Sequence, residues 1–221
     1  MATQYANGKI ATDGLVLCLN AADKNSYPGS GTTWTDVAST NNGTLTNGPT
    51  FNSANGGFIV FDGANDYINC GNASNLQITV GTIGAWVKTS TPGGSFRSII
   101  AKQNAWGLFV ADSVLVTYDW GNAATRSTGI NIADGTWKYV AMTFTETSGT
   151  PSNNAIVYLN GNAVLTTTVK NLNQTVNVQI AEANFNQYLN GNIAAASIYN
   201  RVLSASEILQ NYNAQKSRFN L

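Results

Sequence analysis

A chain of 221 residues with eleven basic and eleven acidic side chains carries no net charge, and it contains no histidine. The absence of a basic run leaves counterion-release binding to nucleic acid little to work with. The absence of imidazole removes Ser-His-Asp and Cys-His mechanisms, the usual general base near neutral pH, and histidine metal sites. Charged residues make up only 10% of the sequence, against roughly a quarter in ordinary globular chains. Asn, Thr, Ser and Gly take their place, which suits a β-rich domain with a neutral polar surface.

The chain opens MATQYANGK, without a charged segment leading into an apolar one. Its apolar runs, such as FIVF at 58–61, last only a few residues. Neither a secretory signal nor a membrane span is expected, and the sequons at Asn42, Asn72 and Asn173 are expected to stay unmodified. A single domain over 1–221 is expected, with 1–13 as an N-terminal arm.

Short apolar runs then follow one another between clusters of turn residues. They are GLVLCL at 14–19, GFIVF at 57–61, TIGAWVK at 82–88, SVLVTY at 113–118, WKYVAMTF at 137–144, AIVYL at 155–159 and IAAASIY at 193–199. Many short strands with turn signals between them predict an all-β sandwich or barrel. Cys18 and Cys70 lie inside two strand-like runs and are expected as buried thiols rather than a disulfide, with no partner at zinc spacing. In WKYVAMTF, Val140, Met142 and Phe144 share one side while Trp137, Tyr139 and Ala141 share the other, so both faces of that strand are expected to be covered.

The pentamer YLNGN occurs at 158–162 and again at 188–192. Asn160-Gly161 between two apolar runs predicts a type I′ hairpin. The flanks do not match at the second copy, so a solenoid repeat is not indicated, and both copies read as turn chemistry. Beyond the last strand, Ser204 and Glu207 form a capping box, with Leu203 and Ile208 placed as a hydrophobic staple. Ile208, Leu209 and Tyr212 predict one apolar stripe on a short structural helix packed at the sandwich edge. Lys216 and Arg218 read as solvated tail charges.

Candidate chemistry is sparse. The glutamates are Glu146, Glu182 and Glu207, whereas a glycosidase needs two carboxylates about 5–9.5 Å apart. Asp62 and Asp66 in FDGANDY read as turn formers, with calcium binding as the lesser alternative. No catalytic residue, metal ligand or cofactor is assigned, and no enzyme activity is expected. The run NAWGLFVADSVLVTYDWGN at 104–122 holds Trp106, Phe109, Tyr118 and Trp120. It reads either as aromatic packing between two strands, the favoured alternative, or as a glycan site with one or two rings exposed. Trp86 and Trp137 read as core residues.

GTWKYVAMTF, IVYLNGNAV and LNGNIAAASIYNRVLSASEI, together with the earlier FDGANDYI and TIGAWVK, resemble laminin-G-like domains of the concanavalin A-like lectin/glucanase superfamily. The N-terminal half, from GLVLCLNAADKNSYPG to NGPTF, and the ending IYNRVLSASEILQNYNAQKSRF are similar to a branch found among tailed-phage virion proteins. The resemblance implies an all-β jelly-roll sandwich of two antiparallel sheets with one short C-terminal helix. The family's final strand often reads G-x-I-D-E where this chain has GNIAAAS, which argues against metal-dependent sugar binding. The first function implied is a non-enzymatic virion structural protein, a phage capsid decoration or fibre protein. It would be assembled in the host cytoplasm and partnered by other virion proteins, the capsid first among them. The alternative is a carbohydrate-binding module for host-surface glycans, with ligand residues unassigned. Neither nucleic acid nor membrane is an expected partner, and a homo-oligomer is compatible with either reading.

Overall fold

The computed structural model describes residues 8–91, 96–145, 151–170, 175–183 and 185–221. Strands β1 (Leu15–Asn20), β2 (Thr33–Trp34), β3 (Gly43–Thr46), β4 (Thr50–Asn52), β5 (Phe58–Asp62) and β6 (Tyr67–Asn69) are followed by β7 (Gly81–Lys88) and β8 (Arg97–Lys102). Then come β9 (Trp106–Ala111), β10 (Val114–Asp119), β11 (Ala124–Asn131), β12 (Lys138–Phe144), β13 (Ala155–Leu159) and β14 (Asn162–Thr167). Strands β15 (Val178–Ile180) and β16 (Asn190–Tyr199) precede the helix α1 (Ala205–Gln215). Each predicted strand run falls on one of these elements.

The strands form two antiparallel sheets, so the fold is the expected jelly-roll sandwich. The first runs β14-β13-β12-β7-β16-β5-β4, with β1 beside the second half of β16. The second runs β11-β10-β9-β8-β15-β6-β3-β2. Alternation sends Ile83, Ala85 and Val87 of β7 and Val140, Met142 and Phe144 of β12 into the space between the sheets. There they meet Ile100, Leu108, Val110 and Leu115 of the second sheet, and Trp106 stacks on Phe144 at 6.3 Å between ring centres. Cys18 and Cys70 are buried free thiols, each pushed up to about 12 by burial.

The other face of the first sheet is apolar as well. Trp86, Tyr139, Ala141 and Tyr158 project from it and are covered by Ile208 and Tyr212 of α1 and by Phe219. The ring of Phe219 lies 4.4 Å from Trp86 and 4.6 Å from Trp137. The helix therefore lies on the outer face of a sheet rather than at the sandwich edge, because Trp86 and Tyr139 give that face apolar area to cover. Ile208 is buried and Tyr212 half-buried, but Leu209 is exposed and drops out of the expected stripe. The capping box forms: Ser204 Oγ accepts from Glu207 N at 3.3 Å, and Ser204 N donates to Glu207 Oε2 at 2.8 Å. Of the expected arm, residues 1–7 lie outside the described residues. Beyond them, Lys9 O accepts from Gln210 Nε2, and Ala11 is bonded to Asn211 and Tyr199.

The two YLNGN copies differ. In the first, Asn160 and Gly161 have φ of 50° and 84° and close the β13–β14 hairpin in the expected turn. In the second, Asn190 and Gly191 are extended at the start of β16, paired with Asp62 and Phe61. Gly191 serves close approach instead of turning: a Cβ there would sit 2.7 Å from the Lys88 carbonyl oxygen. Flanking strands hold the same dipeptide straight where a free hairpin end would let it turn.

Candidate functional site

Among the described residues, no helix lies over the outer face of the second sheet. Alternation along β9 turns Leu108 and Val110 into the core and Phe109 outward. On β10, Leu115 points in, while Val116 and Tyr118 point out. A loop after β15 arches over the β8 side of this face. It is tied by Ala181 N to Ile99 O at 3.1 Å, Leu189 N to Ala181 O at 2.9 Å and Ser98 N to Gln187 O at 2.8 Å. Ala183 packs into the cluster of Ala101, Phe109 and Val116 beneath it. The buried Glu182 carboxylate accepts from Phe185 N at 2.9 Å, and the Phe185 ring stands 63% exposed.

Between this loop and the sheet lies a recess of about 350 Å³ lined by Phe96, Gln103, Asn104, Phe109, Tyr118, Trp120, Phe185 and Gln187. That volume is at the small end of ligand pockets. Its rings meet edge to face: Phe96 with Tyr118 at 5.7 Å and 88°, Phe96 with Phe109 at 5.6 Å and 79°, and Tyr118 with Trp120 at 5.4 Å and 69°. Such pairs fix one another's orientation. In the amide orientation that satisfies both neighbours, Gln103 donates to Ala183 O (2.8 Å) and accepts from Trp120 Nε1 (3.2 Å), which locks the indole in place. Asn104, with φ of 63°, turns the chain from β8 to β9 and presents its amide at the rim.

The aromatic run read from the sequence thus divides. Phe109, Tyr118 and Trp120 come together on the open face, with Phe109 as buried floor and the other two half-buried. Trp106 does not join them, since it lies fully buried between the sheets. Trp86 and Trp137 are buried as expected, but under α1 and Phe219 rather than between the sheets. Sequence reasoning missed Phe96, Phe185 and Gln187: Phe96 arrives beside Phe109 through the β8–β9 pairing, and Phe185 and Gln187 follow β15, which pairs with β8. The one signal for Phe185 was a phenylalanine set among asparagines, in ANFNQ.

The charged groups near the recess are engaged elsewhere. Asp119 is buried and bound by Arg126 (2.7 Å) and Asn122 (2.8 Å). Burial would raise its pKa, but those hydrogen bonds overcome it and hold the carboxyl below the usual carboxylate value. Lys102 is buried, donates to Asn72 Oδ1 and to Val176 O, and is lowered to about 8 by that burial.

Asp62 and Asp66 adopt the expected turn: Asp62 Oδ1 accepts from Ala64 N at 2.8 Å and Asp66 Oδ2 from Asp62 N at 3.3 Å. Backbone donation from Ala64 holds the Asp62 carboxyl below its ordinary value, while burial raises that of Asp66. Among the described residues no three His, Cys, Asp or Glu side chains gather as a metal site would need. Glu146 lies outside the described residues, as does the sequon Asn173. Asn42 and Asn72 spend their side-chain oxygens on Asp36 N and Lys102.

Comparison with solved structures places the same fold in several settings. Trypanosoma rangeli sialidase in complex with sialic acid superposes with a TM-score of 0.72 at 15% identity, over 96% of this chain and 34% of that one. The binding domain of Paraclostridial Mosquitocidal Protein 1 gives 0.70 at 16% identity, over 91% of this chain and 52% of that one. Domain 4 of AbnA, a GH43 extracellular arabinanase from Geobacillus stearothermophilus, in complex with arabinotriose, gives 0.65 at 16% identity, over 91% and 98%. The chain thus spans about half of the mosquitocidal binding domain's length and a third of the sialidase's. At these identities the likeness is one of fold. No curated protein sequence matches the chain. The laminin-G family model described as the concanavalin A-like lectin/glucanases superfamily matches residues 62–209. The chain therefore belongs to the laminin-G-like branch of the concanavalin A-like lectin/glucanases superfamily.

Proposed function

We propose that this protein is a non-enzymatic glycan-binding module and that the recess on the outer face of its second sheet is the binding site. The observation that carries this reading is the open aromatic recess rimmed by amides, with Phe185 standing 63% exposed at its edge. Aromatic faces suit the apolar C–H face of a sugar ring, and amides suit its hydroxyls. Among the described residues its lining contains no carboxylate, so the acid and nucleophile or base of glycoside hydrolysis have no counterpart among them. That favours binding over turnover. The arabinanase domain solved with arabinotriose and the mosquitocidal binding domain lend the reading support by analogy of fold.

In the virion setting that the sequence resemblance implies, the same recess would hold a glycan of the host surface while the rest of the sandwich attaches to the particle. The test is a glycan array followed by calorimetry on whatever binds. Trp120→Ala and Tyr118→Ala should each weaken binding by about tenfold or more, an effect of roughly 1.4 kcal/mol, with the far-ultraviolet circular dichroism unchanged. Thr125→Ala on β11 should leave affinity unaltered. Absence of glycan binding at millimolar concentration, or full binding by Trp120→Ala, would overturn the proposal.

A further inference from the structure

Resting on that reading, we propose that the recess takes an uncharged saccharide and discriminates against acidic sugars such as sialic and uronic acids.

The first argument is electrostatic. The eight lining residues are aromatic rings and side-chain amides, with no charge among them. The chain segments supplying the rim are free of charge over long stretches: there is none between Lys88 and Arg97, between Lys102 and Asp112, or between Glu182 and Arg201. The charges that bound those stretches near the recess are not among its lining residues and make contacts of their own. Arg97 sits opposite Val110, whose side chain is in the core; its Nη1 donates to Tyr188 O, while its Nε is buried without a partner among the described residues. Lys102 is turned inward to Asn72 and Val176. Glu182 accepts from the Phe185 backbone. A carboxylate entering the recess would give up hydration without meeting a cation, which is costly in a partly dry site.

The second argument comes from an unused acceptor. Gln187 Oε1 is buried and has no hydrogen-bond partner. Buried polar atoms are usually paired, and an unpaired one needs an explanation. Its residue lines the recess, so a turn of the side chain that brings Oε1 to the recess wall would let a ligand hydroxyl donate to it. A sugar hydroxyl supplies that donor; a sugar carboxylate brings only a second acceptor and is repelled. Trp120 Nε1, the donor that would otherwise welcome an anion, is already committed to Gln103.

The test uses the full chain and matched sugars: neutral arabino-, xylo-, gluco- and galacto-oligosaccharides beside counterparts bearing a sialic or uronic acid. Affinities are measured by calorimetry at about 50 mM and about 500 mM NaCl, a range over which screening shortens from roughly 14 to 4 Å. The inference expects neutral sugars to bind, acidic counterparts to bind at least about tenfold more weakly, and affinity to be insensitive to salt within about twofold. Gln187→Ala should weaken the neutral sugar, while Gln187→Arg should narrow the gap to the acidic one. Acidic sugars that bind as well as neutral ones, or an affinity that falls steeply with salt, would overturn this inference and leave the recess as a glycan site. Binding of no sugar, or binding untouched by Trp120→Ala, would overturn the recess reading itself and this inference with it.

Discussion

The two sheets of this sandwich each carry aromatic residues on their outer faces, and the two faces meet different fates. On the first sheet, Trp86, Trp137 and Tyr139 lie under α1 and Phe219 and are buried. On the second, Phe109, Tyr118 and Trp120 are bordered by Phe96 and by the loop after β15, and Tyr118 and Trp120 remain half-buried. One cluster is sealed by the chain's own C-terminal segment and contributes to stability. The other stays open beside the loop, and its rings are arranged in edge-to-face contacts. Aromatic content alone does not distinguish a core from a site; what covers the rings does.

The strongest break in that comparison is Trp86→Ala. It removes a fully buried ring from beneath α1 and should cost about 3–5 kcal/mol in urea unfolding, while glycan affinity of the folded fraction stays the same. Trp120→Ala should do the reverse, with a loss in affinity of about tenfold or more and a stability change below about 1.5 kcal/mol. Equal stability losses for the two would erase the distinction between sealed and open face.

A smaller effect belongs to the helix that does the sealing. Glu207 is held down to about 2, first by its hydrogen bond to Arg201 and then by the Ser204 backbone. A carboxyl with a folded pKa below its unfolded value of 4.5 stabilises fully above that value, and the contribution is lost as pH falls toward about 2. The side chain is 27% exposed, so solvent screens the pair, and Glu207→Gln should cost about 0.5–1 kcal/mol at neutral pH. The variant should also flatten the acid limb of thermal stability between about pH 5 and pH 2, and an unchanged limb would show that the Glu207 charge and its pairing with Arg201 add little to the seal. Phe185→Ala should have the smallest effect on folding, within about 0.5 kcal/mol, because its ring is 63% exposed. Its affinity for glycan should nevertheless fall measurably, and a stability loss without an affinity loss would assign Phe185 to packing.

Most of the fold was legible from local chemistry. The alternation in WKYVAMTF announced two covered faces, and Asn160-Gly161 announced a hairpin. Ser204 and Glu207 announced where the helix starts. What misled was context. The second Asn-Gly is held extended between β5 and β7, and the helix found its seat on a face rather than an edge. The aromatic run 104–122 was legible as a candidate set, but Trp106 was grouped with the others although its odd spacing from Phe109 puts the two on opposite sides of one strand. Phe96, Phe185 and Gln187 were not legible, because strand pairing, of β8 with β9 for Phe96 and of β15 with β8 for the other two, brings them beside Tyr118 and Trp120.

The chain's five tryptophans give one direct test. Their indole N–H signals, assigned in a nitrogen-15 correlation spectrum, can be followed while a neutral oligosaccharide is titrated in. The account predicts that the Trp120 signal moves saturably while those of Trp34, Trp86, Trp106 and Trp137 hold still. A saturating shift at Trp86 or Trp137 with Trp120 unmoved would place the ligand on the sealed face and contradict it.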